Sequence, residues 1–229
     1  MGELVTFASN GTDARGHLAV PESGSGPGLI VIQEWWGLNP QMKGVADHLA
    51  TEGFVALAPD LYHGELAAHD EMDKAGHLMT SLPPDRAARD MSGAVDYLAG
   101  HDATNGKGVG VVGFCMGGLL SFLLAANRPD QVKAAVPFYG FPQGDAEPDW
   151  SRIEAVIRAH MADPDDFFPA DKARALGETL RGLGKDVEVT VHQAGHGFMN
   201  EENPMGAYNP DLAAEVWGQM VGFLHDQLD

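Results

Sequence analysis

Five short apolar runs punctuate the chain, at residues 29–32, 54–58, 109–112, 134–138 and 155–159, and none alternates cleanly between apolar and polar positions. Strands covered on both faces look like this, because neither face can be polar. Between and after them lie segments with helical periodicity, at 41–52, 84–100, 117–127, 170–182 and 210–228. Runs and helices in alternation predict a parallel sheet with helices on both sides. Residues 187–192 add a last strand, with Val187, Val189 and Val191 on one side. Residues 4–7 and 17–20, separated by Asn10-Gly11, predict an antiparallel hairpin at the sheet edge. The loops at 21–28 and 140–150 are short, and no internal repeat appears. The expectation is one α/β domain over residues 1–229, doubly wound and mostly parallel.

Charge narrows the partners. Of 229 residues, 14 are Lys or Arg and 33 are Asp or Glu, giving 14 − 33 = −19 with histidine neutral. Such a surface repels phosphate backbones and anionic headgroups, and no basic run offsets it, so neither nucleic acid nor membrane is expected as a partner. One cysteine excludes an intramolecular disulfide and a cysteine metal pair, which points to a reducing compartment. Without a basic, then apolar, leader or a run of about 18 apolar residues, the expected location is the cytoplasm. Monomer and small homo-oligomer both remain open.

The sharpest chemical signal is Gly113-Phe114-Cys115-Met116-Gly117, between a buried strand and a helix. This is the context of a G-x-nucleophile-x-G elbow, with Cys115 at the nucleophile position. A helix N-terminus there favours a thiolate and offers N–H groups to an oxyanion. Hydrolases with this elbow place an acid and then a histidine on loops after later strands. Asp163, Asp165 and Asp166 follow one predicted strand, and His196 follows the next between Gly195 and Gly197. Spacing alone does not separate the three acids. Among ten histidines, His196 is the one whose glycine neighbours let the backbone bring the ring over the sheet. His192 lies four residues earlier on a strand, with no third ligand, so no metal is expected. No cofactor is implied.

On these residues the sequence resembles the dienelactone hydrolase family of α/β-hydrolases. The resemblance runs from Gln33-Glu34-Trp35-Trp36-Gly37 through Pro59-Asp60-Leu61-Tyr62 and the cysteine elbow to Gly195-His196-Gly197-Phe198. It implies the α/β-hydrolase fold, with Asp165 as the triad acid beside Cys115 and His196. It also implies that Glu34 faces the cysteine and takes part in its activation, and that the backbone N–H groups of Trp35 and Met116 form the oxyanion hole. Family members that cleave dienelactone hold its carboxylate with two arginines. Here residues 69–79 contain none, Lys74 reads as a surface lysine on a helix, and the second arginine position is Asn200. A neutral amide cannot form the bidentate clamp of a guanidinium.

Large apolar residues cluster near the predicted site, and Trp35, Trp36 and Phe198 are expected to line a pocket, with Tyr139 and Asn200 as its polar contacts. The leading expectation is a hydrolase of a small-molecule ester or lactone, acting through a Cys-His-Asp triad and an acyl-enzyme. An acyltransferase with the same triad and a non-catalytic thiol redox sensor are the alternatives.

Overall fold

The structure, a computed structural model, describes residues 2–202 and 204–229. Its eight strands are β1 (Glu3–Ser9), β2 (Thr12–Ala19), β3 (Gly26–Ile32), β4 (Val55–Pro59), β5 (Thr104–Phe114), β6 (Val132–Phe138), β7 (Val156–Ala162) and β8 (Val187–His192). They form one sheet in the order β1-β2-β4-β3-β5-β6-β7-β8. Strand β2 is antiparallel to both neighbours, and every other pairing is parallel. The mostly parallel sheet expected from the apolar runs is what the chain adopts, and its antiparallel edge is the hairpin. Asn10 and Gly11 both have positive φ, 42° and 97°, which matches the twist of a two-residue turn and sets Ser9 opposite Thr12.

Helices cover both faces. Helix α1 (Pro40–Thr51) and the C-terminal α6 (Pro210–Leu228) pack on one side; α3 (Pro84–Ala99), α4 (Met116–Asn127) and α5 (Ala170–Gly182) pack on the other. Starts are written locally: Asn39 accepts a hydrogen bond from the Met42 N–H and Asn209 from the Leu212 N–H, each followed by proline at the first helical position. Along α6, Ala213, Val216, Met220, Leu224 and Leu228 recur at three- and four-residue steps and are buried, forming the stripe that meets the sheet.

Two features depart from the apolar pattern. Strand β5 begins at Thr104, because exposed Asn105, Gly106 and Lys107 extend it without an apolar signature. Helix α2 (Met72–Ser81) buries only Ala75 and Leu78, too short a stripe to register as periodicity; it carries the exposed Lys74, which pairs with Glu71 at 3.5 Å.

Behind the carboxyl ends of β7 and β8, His160 stacks between Phe138 and His192 at ring separations of 5.1 and 5.2 Å. His160 Nδ1 and His192 Nε2 lie 3.0 Å apart, so one nitrogen donates and the other accepts, an arrangement of two neutral rings. Burial, and secondarily the neighbouring ring, pushes the His160 pKa down to about 3; burial also lowers His192, against the opposing charge of Glu215. The unfolded chain takes up these protons near pH 6.5 and the native state resists them. The stability contributed by the neutral pair is therefore complete above about pH 6.5 and lost as pH falls toward 3. Urea midpoints of the native protein should drop between pH 7 and pH 4.5, and His160→Gln should flatten that dependence. A variant with the wild-type slope would exclude the pair as its source.

Candidate active site

The strand order reverses around β3 and β5, with β4 on one flank and β6 on the other. Loops leaving neighbouring strands in opposite directions open a crevice at the carboxyl ends, where sheets of this kind hold ligands. Ile32 of β3 pairs with Gly113 of β5, so Glu34 and Trp35 leave their strand beside Cys115. Strands β6, β7 and β8 end at the same edge and deliver Tyr139, Asp165 and His196.

Cys115 stands between β5 and α4 with φ 55° and ψ −116°, a conformation that L-residues rarely adopt. The turn closes only because its neighbours lack side chains. A Cβ on Gly113 would collide with the Gly117 carbonyl, and one on Gly117 with the Ile32 carbonyl. Burial, and then the Glu34 carboxylate, push the thiol pKa well above its ordinary value. The backbone N–H groups of Met116 and Trp35 face the sulfur and pull it the other way, with Asp165 adding a smaller upward push.

Glu34 is buried and accepts hydrogen bonds from Asn200 Nδ2 at 2.8 Å and the Tyr139 hydroxyl at 3.2 Å. Burial raises its pKa, and the Asn200 bond is the largest opposing effect, followed by His196 and the Tyr139 bond. Two ionisable groups whose charged forms are both disfavoured, and which repel each other as anions, hold at most one negative charge between them at neutral pH.

The third constellation is a pair. Asp165 Oδ2 lies 2.8 Å from His196 Nδ1, and the carboxylate is fully enclosed. Its other oxygen accepts from the backbone N–H groups of Phe167 and Phe168 at 2.9 and 3.0 Å, which fix the loop. Asp163 instead lies 3.8 Å from Arg174, and Asp166 is exposed, so of the three acids left open by spacing only Asp165 meets the histidine. The His196 ring packs against Tyr139, Phe167 and Phe168. Among the described residues no hydrogen bond joins the cysteine sulfur to His196, and no group of three or more His, Cys, Asp or Glu could hold a metal ion.

Cys115 and His196 share the wall of a cavity of about 860 Å³, whose other walls include Trp35, Met116, Phe167 and Phe168. A small recess behind them is bordered by Glu34, Trp36 and Asn200.

The dienelactone hydrolase family model matches residues 14–228. The chain belongs to the dienelactone hydrolase family. That family consists of hydrolases acting on ester and lactone bonds. The chain is 40% identical to Protein usf of Aquifex pyrophilus and 37% identical to a protein of Aquifex aeolicus named "Putative carboxymethylenebutenolidase", each alignment covering all of both chains. A solved Klebsiella pneumoniae structure, named "Putative Dienelactone Hydrolase", superposes with a TM-score of 0.86 over 98% of each chain at 23% identity, a likeness of fold.

In this member of the family the residues expected at the pocket are differently disposed. Trp36 and Asn200 border the small recess; Tyr139 and Phe198 are fully buried behind the site and touch neither cavity, Tyr139 serving as a donor to Glu34. The large cavity is walled mainly by residues the sequence pattern assigns to helix cores, such as Met91 and Leu120. Helix α4 is apolar on nearly every face, so periodicity carries no signal that separates a cavity wall from the core.

Alkylation of Cys115 by iodoacetamide near pH 7.5 should be slower than that of free cysteine. Glu34→Gln, which removes the opposing charge, should speed it by about tenfold, one pKa unit. An unchanged rate would mean that the carboxylate does not hold the thiol protonated.

Proposed function

We propose that this protein cleaves neutral carboxylic esters or lactones through a thioester on Cys115, with His196 as acid and base and Asp165 holding its tautomer. The observation that carries this reading is the Asp165–His196 bond of 2.8 Å beside Cys115 on one cavity. A thiol that only senses oxidants has no use for an oriented imidazole.

Chemistry follows from the groups in place. The thiol proton passes to His196 as Sγ bonds to the substrate carbonyl carbon, and the charge on the carbonyl oxygen meets the N–H groups of Trp35 and Met116. Asp165 stabilises the imidazolium. The carbon–oxygen bond then breaks as His196 returns the proton to the leaving oxygen. Water next enters, gives its proton to His196 and attacks the thioester; the acid product departs and the proton returns to sulfur. Glu34 keeps the resting thiol protonated, which slows its oxidation between turnovers.

Substrate charge follows from the walls. No Lys or Arg lines either cavity among the described residues, and Asn200, at a position where dienelactone-cleaving relatives carry arginine, is occupied with Glu34. A carboxylate placed against these walls would find no lysine or arginine as counter-ion.

Cys115→Ala should lower kcat/KM for p-nitrophenyl butyrate by about a thousandfold or more while leaving the circular dichroism spectrum intact. Equal activity in that variant would sink the thiol mechanism. Wild-type enzyme should favour the butyrate over p-nitrophenyl hemiglutarate; the reverse preference would refute the neutral-substrate reading.

A further inference from the structure

The cavity extends well past the reacting atoms. One wall is α4, where Leu119, Leu123 and Asn127 follow one another at four-residue steps on a single face. Twelve residues of helix separate Cys115 from Asn127, about 18 Å at 1.5 Å per residue. Ala88 and Met91 of α3 and Met79 of α2 form the facing wall. The two alanines of α3 on this wall, Ala87 and Ala88, leave width that larger residues would fill. At the distal end Asn127 is exposed, so the channel opens to solvent there, and Met79 at the rim is 39% exposed. Apart from Cys115, the titratable residues on the walls among the described residues are Asp145 and His196, neither of them on α3 or α4, and His196 packs against Phe167.

The two ends are not equivalent for an ester. The leaving oxygen must reach His196, so the alcohol part lies on the side of His196 and Phe167. The carbonyl oxygen points to the Trp35 and Met116 N–H groups. The carbon chain on the acyl side is then left one direction, along α4. We propose that this arm of the cavity is an acyl-chain channel, and that the protein takes esters or lactones with an unbranched aliphatic acyl part of about eight to twelve carbons, whose extended length fits within about 18 Å of helix. The inference rests on the proposed thiol mechanism and names its substrate class.

The test is a series of p-nitrophenyl esters from acetate to dodecanoate, each below its critical micelle concentration. In wild-type enzyme kcat/KM should rise by about fourfold per added methylene, as burial of each group predicts, and level off near ten carbons. Leu123→Trp and Ala88→Leu, which narrow the channel from opposite walls, should each cut the decanoate-to-butyrate ratio by tenfold or more. Lengthening the alcohol in a matched butyrate series should be insensitive to both. A profile that is flat or falls beyond butyrate overturns the channel, as does a uniform loss across acyl lengths in both variants. Should one variant fail to fold, the wild-type profile and the other variant still decide. Failure of the thiol mechanism is separate: it is read from Cys115→Ala on butyrate alone.

Discussion

Cys115 can face both the Trp35 and Met116 N–H groups and the cavity only because its backbone is held where an ordinary strand-to-helix turn would not put it. The conformation at φ 55° costs on the order of 1–3 kcal/mol. What opposes relaxation is local and specific. The Cys115 N–H donates to the Phe138 carbonyl at 3.1 Å, which continues the β5–β6 ladder, while its own carbonyl accepts from the N–H groups of Gly118 and Leu119 at 2.9 and 3.3 Å and starts α4. A strand hydrogen bond and a helix hydrogen bond thus share one residue. Any side chain at Gly113 or Gly117 would separate α4 from the sheet, and the Met116 N–H and the wall carrying Leu119 and Leu123 would move with the helix. Cys115, the Met116 N–H and the α4 wall of the cavity are one rigid unit for this reason.

The elbow creates an electrostatic problem that the second half of the site manages. A helix N-terminus with two N–H groups aimed at sulfur favours a thiolate, whereas burial and Glu34 oppose it more strongly. Glu34 in turn is held by Asn200 and Tyr139 from two different loops, so its position depends on the whole carboxyl edge of the sheet. The Asn200 amide faces the carboxylate behind the cysteine instead of the large cavity. Asp165 and His196 form a separate pair, joined at 2.8 Å between Oδ2 and Nδ1.

Most of this was legible in the sequence because the decisive residues sit where local rules are strict. Glycines on both sides of Cys115 and β-branched runs in buried strands each have one dominant physical cause. Spacing left the acid as a group of three, since a loop of aspartates gives no hint of which side chain meets the histidine, and only the family resemblance singled out Asp165; the Phe167 and Phe168 N–H groups that hold it are a property of the folded loop. Tyr139 and Phe198 illustrate the opposite difficulty. Both follow strand ends next to the site, yet their rings turn into the core, and side-chain direction at a strand end is decided by packing that no periodicity encodes.

Net charge and cavity composition bear on substrate choice at different ranges. The excess of acidic residues acts through solvent and is screened beyond about 8 Å at physiological salt, so it discourages the approach of anions without selecting among neutral molecules. On the cavity walls, among the described residues, there is no lysine or arginine to pair with, so an anion that gives up water for these apolar surfaces finds no such counter-ion. Neutral substrates escape both penalties. Apolar burial, by contrast, grows steadily with the surface removed from water, and Leu119, Leu120 and Leu123 of α4 offer such surface on the cavity wall.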